Sequence, residues 1–147
     1  MLHILFWEEL SLRVLICRYC LGIKNIPYTT MWVEYPDIEP TLRALRAAPT
    51  GVVPDFKGGE RPFYTVPAIT DPNTLNEEGK PTVVVESSKI AAYLDKYYPG
   101  VGPVLVPSGT KGFQAVFEDY ILKTFIYPCR EIIIPSFYEN LTEGSKP

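Results

Sequence analysis

The residues best placed by type and spacing to do chemistry are few. Cys17-Arg18-Tyr19-Cys20 is a C-x-x-C, the spacing at which two thiols can cycle through a disulfide. Such a pair works at a helix amino terminus, where the dipole favours the thiolate, and needs most of that helix after it. Here only Leu21 to Pro27 separate Cys20 from the next strand-like run, so the pair falls in the last turns of a helix and Cys17 reads as a small hydrophobe. Glu86-Ser87-Ser88 offers three oxygen-bearing side chains just ahead of a helical pattern, as caps would. The single histidine, His3, lies in a strand-like run with no zinc-ligand spacing around it and no serine partner for hydrolysis. Gly58-Gly59 is too little for a phosphate loop. No metal is expected.

The elements that must position these residues can be read in order. His3 to Trp7 forms a first strand and Glu8 to Lys24 a helix, with Leu10, Val14, Cys17 and Leu21 at helical spacing. Tyr28 to Tyr35 alternates as a strand does. Asp37 or Glu39 can cap a short helix over Thr41 to Ala47, with Pro40 suited to its first turn. Ala48 to Pro62 reads as a long loop. Val66 to Thr70 is a strand begun on Val66-Pro67, and a proline there belongs at an edge, a strand start or a bulge. Asp71 to Pro81 is rich in turn formers, and Thr82 to Val85 is a second β-branched run. A helix then carries Ile90, Leu94 and Tyr97 or Tyr98 on one face until Pro99-Gly100 ends it. The order is β-α-β-α-β-β-α, an α/β domain.

Composition sets bounds rather than answers. The chain has 147 residues, enough for a sizeable core, and its 21% charged residues are ordinary for a globular protein. A net charge of −3 without a basic face points away from nucleic acid. The amino terminus is apolar but runs at once into Glu8-Glu9, without the basic start and cleavage site of a secretory signal. No run approaches the roughly 20 apolar residues of a membrane span. Three cysteines, an odd number, argue for a reducing compartment over a disulfide framework, so the expected location is cytoplasmic. Asn140-Leu141-Thr142 is a glycosylation sequon that matters only in a secreted chain.

Two motifs carry a family resemblance. VPAI, a hairpin and then ESSKIAAYLDKYYP resemble the second half of the thioredoxin-like domain of glutathione transferases, and NIPYTTMWVEYPDIEP resembles a fungal group of that family related to the etherase type. Together they span Cys17 to Pro99 in the family's order. The resemblance implies that Val66, beside a cis Pro67, offers its backbone to the cysteinyl part of glutathione, the co-substrate. It implies that Glu86 takes the γ-glutamyl ammonium, and that Ser87 with helix amino-terminal amides takes the carboxylate. It also implies a hydroxyl that hydrogen-bonds the glutathione thiolate and so lowers a thiol pKa of about 8.5. Counting back from Ile26, Arg18 stands eight residues earlier and Ser11 seven before that, where the resemblance puts this hydroxyl. Leu12 to Cys17 depart from the family's proline, asparagine and tryptophan there, and the family's longer loop before the serine is missing. Ser11 is therefore either the thiolate stabiliser or an ordinary residue near a helix start, where serine is favoured anyway.

Three functional readings follow. The chain is a glutathione transferase that delivers the thiolate to a small-molecule electrophile, or cleaves an ether or thioether with it. Alternatively, it is a catalytically impaired binding module on the same fold. The third reading is a dithiol oxidoreductase using Cys17 and Cys20, similar to glutaredoxin in its motif. The expected organisation is a thioredoxin-like domain over 1–99, a linker over 100–112, and over 113–147 the start of the family's all-α carboxy-terminal domain. Phe113, Val116, Phe117, Tyr120, Ile121 and Phe125 trace an apolar stripe there, which Pro128 and Pro135 should interrupt. The resemblance implies further helices beyond these, so the chain reads as shortened, and it implies a homodimer.

Overall fold

In a computed structural model of the chain, residues 1–6, 12–55, 58–129, 132 and 135 are described. They fall into two compact units, 1–105 and 106–147.

The first unit is a mixed four-stranded sheet between helices. β1 (Leu2–Phe6) pairs in parallel with β2 (Tyr28–Trp32), and the crossover between them is α1 (Leu12–Ile23). A parallel pair needs such a crossover because its strands run the same way. α2 (Ile38–Ala44) follows a 3-10 turn over Tyr35–Asp37. A two-stranded antiparallel ribbon comes next, β3 (Gly51–Pro54) with β4 (Glu60–Phe63). β5 (Ala68–Leu75) lies antiparallel to both β1 and β6 (Pro81–Val85), which gives the sheet order β2-β1-β5-β6. α3 (Ser87–Tyr97) closes the unit. This is the thioredoxin-like order expected from the sequence.

The strand period of two splits the core between the faces of the sheet. Leu2, Ile4 and Ile69 face Val14, Cys17 and Leu21 of α1 and Ile90, Tyr93 and Leu94 of α3. Ala68 and Val85 face the other way, onto Ile38 and Leu42 of α2.

Several expected boundaries move. The second strand stops at Trp32 rather than Tyr35, since Pro36 suits the start of a 3-10 turn and cannot donate to a ladder. α2 begins at Ile38, three residues before the expected Thr41, because Ile38 and Leu42 are the pair it buries. Neither Asp37, which precedes α2, nor Glu86, which precedes α3, caps its helix through its side chain. The expected loop 48–62 contains the β3–β4 ribbon, which turns through Gly58 and Gly59, both at φ +90°. β5 runs to Leu75, four residues past the turn signal at Asp71, with an irregularity between Asp71 and Leu75. Residues 7–11, which hold the expected start of α1 and Ser11, lie outside the described residues.

Two buried polar clusters fix the carboxy-terminal end of α3. Lys24, 1% exposed, pairs with Asp95 at 3.0 Å and donates to the carbonyls of Tyr98 and Val101, each at 3.2 Å. Asp95 also accepts the Leu105 N–H, at 3.0 Å to each carboxylate oxygen. Gly102 passes so close that a Cβ there would lie 2.6 Å from the Lys24 Cα. Asp71, fully buried on β5, accepts from the hydroxyls of Tyr93 and Tyr98, both at 2.7 Å, and from the Asn73 N–H at 2.9 Å. Burial pushes the Asp71 carboxyl up, but the hydrogen bonds from Tyr98, Tyr93, Asn73 and Thr74 outweigh it and hold the group below its ordinary value.

In the second unit, α4 (Lys111–Ile121) leads into a π turn over Leu122–Ile126. The Tyr127 N–H reaches back to the Leu122 carbonyl. The helical path continues through Pro128 to Cys129, and Ile132 and Pro135 are helical as well. The expected interruption is instead a widening: Pro128 has no N–H for the carbonyl four residues back, and the wider turn just before it loosens the ladder. Phe113, Val116, Phe117, Tyr120 and Phe125 are all exposed. No helix among the described residues is long and apolar enough to cross a membrane. Asn140 lies outside the described residues.

Candidate functional site

The site is built where β5 and α3 begin. The Val66-Pro67 peptide bond is cis. Pro67 gives up its place as a donor, yet its carbonyl accepts the Glu86 N–H at 3.3 Å, so the start of β5 is tied to the entry of α3. Glu86 holds φ +74° and ψ 129°. A non-glycine residue is strained there, and strain of this kind persists only where the surroundings impose it. The conformation delivers Ser87, 4% exposed, to the first position of α3.

A cavity of about 410 Å3 opens against this corner. Val66 and Glu86 both line it, together with Arg13 from the first turn of α1, Tyr35, Ile38, and the run Thr50, Phe63, Tyr64 and Thr65 beside the ribbon. The ribbon side is internally ordered. Thr65 Oγ1 donates to Thr50 Oγ1 at 3.2 Å, and Thr50 Oγ1 donates to the Phe63 carbonyl at 3.0 Å. The Arg43 guanidinium lies 4.9 Å from the centre of the Tyr64 ring, a cation–π contact that steadies the wall.

The geometry treats the expected residues unequally. Val66 and Glu86 share the cavity, while Pro67 and Ser87 are buried immediately behind them. Glu86 is already engaged, since its Oε1 accepts from Lys89 Nζ at 2.6 Å. A ligand ammonium at Glu86 would share the carboxylate with Lys89. Ser11 lies outside the described residues. Sequence reasoning missed Arg13 and the ribbon residues. For the ribbon, Val52-Val53 ahead of Gly58-Gly59 was a usable hairpin signal. For Arg13 nothing in the sequence was, because its place in the cavity depends on how α1 is set against β5.

Cys17 and Cys20 stand apart from this site. Cys17 is fully buried in the α1–α3 core, and burial, with Cys20 beside it, pushes its thiol up to about 12. Cys20 is pushed up too, by burial and by Asp95. A redox dithiol needs the opposite shift. Among the described residues no group of three or more His, Cys, Asp or Glu side chains converges as a metal site would.

Sheet order, cis Val66-Pro67 and the cavity define a thioredoxin-like domain of the kind that precedes a helical domain in glutathione transferases. The family model for the glutathione S-transferase, N-terminal domain matches residues 11–96, and the chain belongs to that family. It is 39% identical over 138 residues to the glutathione S-transferase-like protein ustS of Aspergillus flavus, a match that covers 92% of this chain and 46% of that protein. A glutathione S-transferase of Ceriporiopsis subvermispora, crystallised in complex with glutathione, superposes with a TM-score of 0.83 at 32% identity, over 99% of this chain and 56% of that one. A glutathione transferase from Phanerochaete chrysosporium gives 0.83 at 37% identity, over 98% and 56%. The chain thus spans about half the length of the relatives it matches.

Proposed function

We propose that the chain binds glutathione at the Val66–Glu86 corner and presents its sulfur to a small electrophile, either by thiolate transfer or by cleavage of an ether or thioether. The observation that carries this reading is that Val66 and Glu86, far apart in sequence, line one cavity. In this reading the Val66 backbone pairs with the cysteinyl part, Glu86 takes the ammonium, and Ser87 with the first amides of α3 takes the γ-glutamyl carboxylate. The glutathione seen bound to the C. subvermispora relative supports it. The electrophile, a cytoplasmic location and a homodimer belong to the same proposal. The impaired-module reading keeps the same pocket and differs only in lacking catalysis.

Calorimetric titration of the folded chain with reduced glutathione tests the proposal. We expect saturable binding that weakens about tenfold, or 1.4 kcal/mol, when Glu86 and Ser87 are both replaced by alanine. A folded chain that shows no binding overturns it.

A further inference from the structure

Among the nine described residues lining the cavity, Arg13 is the only cation and Glu86 the only anion. The two threonines among them are occupied with each other and with the Phe63 carbonyl. Among the described residues, no hydrogen bond or ion pair engages the Arg13 guanidinium. The topology gives its place a meaning. Leu5 of β1 stands opposite Ala68 of β5, so the chain leaves β1 beside Val66-Pro67 and returns as the first turn of α1, where Arg13 sits. Arg13 therefore lines the same cavity as Val66, the residue that would hold a cysteinyl backbone.

We infer that Arg13 is the group that holds the sulfur of bound glutathione as a thiolate. The inference rests on the glutathione reading of the cavity and adds to it a catalytic residue that no hydroxyl motif would reveal. Glutathione carries three anionic groups: two carboxylates and, once its proton has passed to solvent, the thiolate. The γ-glutamyl carboxylate is matched by Ser87 and the α3 amides. The thiolate is the group nearest the cysteinyl backbone, and so nearest the strand end from which Arg13 follows. A guanidinium is always protonated, and it favours an adjacent anion both by charge and by donated hydrogen bonds. It can do for sulfur what a serine hydroxyl does, and it stands in the very stretch, Leu12 to Cys17, where this sequence leaves the family pattern.

The test is to titrate the thiolate absorbance of bound glutathione in the full chain, in Arg13→Met and in Arg13→Lys, beside calorimetry with S-methylglutathione, which has no thiol to ionise. In the unsubstituted chain the bound thiol should titrate at least one unit below the free value of about 8.5. Arg13→Met should return it to that value and weaken S-methylglutathione less than glutathione at a pH where the bound thiol is ionised, and Arg13→Lys should restore part of the shift. An unshifted thiol in the unsubstituted chain, the same shift in Arg13→Met, or equal loss of affinity for both ligands overturns the assignment of Arg13 and leaves glutathione binding standing. Failure of the unsubstituted chain to bind either ligand overturns the glutathione reading, and the role of Arg13 with it.

Discussion

The two ends of α3 solve opposite problems. At its carboxy-terminal end two buried charges are held: Asp71 gathers two tyrosine hydroxyls, and Lys24 gathers Asp95 and two backbone carbonyls. At its amino-terminal end Glu86 sits in a conformation that favours glycine, without a side-chain cap, beside a cavity. One end is built for stability and the other is left strained and open. A helix locked at its far end can hold a strained residue in place at its near end, which is how a binding corner stays set before any ligand arrives.

Substitutions at the two ends should therefore differ in kind, and the largest effect should come from the closed end. Lys24→Met removes the buried cation that pairs with Asp95, and denaturant unfolding should show a loss of about 3 kcal/mol. Gly102→Ala forces a Cβ into the Lys24 backbone at φ +65°, and should cost about 2 kcal/mol in the same assay. Both tyrosine hydroxyls donate to Asp71 Oδ2, so Asp71→Asn can serve them with its one oxygen only by setting its NH2 against the Asn73 N–H that Oδ1 accepts, a loss of about 1–2 kcal/mol at neutral pH. The Asp71 carboxyl lies lower folded than unfolded, so its contribution is complete above the unfolded value of about 3.9 and fades as pH falls through the folded value. A stability–pH profile of Asp71→Asn should accordingly be flatter than that of the unsubstituted chain below about pH 4.

At the open end the sign should reverse. Glu86→Gly relieves the φ +74° strain and should stabilise the chain by about 1 kcal/mol, while weakening glutathione binding about tenfold. If Glu86→Gly destabilises, the contrast between the two ends is wrong. If it stabilises without loss of binding, the corner is strained for some other reason.

The sequence disclosed these two ends unequally. Val66-Pro67 and Glu86-Ser87 were legible because each is local: a proline that spoils a strand and a cluster of oxygens before a helix. The alternation of β2 and the spacing of α1 were legible for the same reason, and the latter put Cys17 in the core, where it lies. Lys24 was not, since a lysine at a helix end reads as solvated, and its burial depends on Tyr98 and Val101 more than seventy residues away. The positive φ of Glu86 was hidden because side-chain chemistry alone made it look like an ordinary cap. The ribbon was hidden by Pro54 and Pro62 within its strands, which a paired edge tolerates but a pattern rule penalises.

The hold on Leu105 also says where to cut the gene. A fragment stopped after Pro99, where the helix pattern ends, would lack the Val101 carbonyl that receives Lys24, the glycine packed over it, and the Leu105 amide that Asp95 binds. Its lysine would stay in the core with part of its escort gone. A piece that keeps these three contacts ends no earlier than Leu105, six residues further on than the helix pattern suggests.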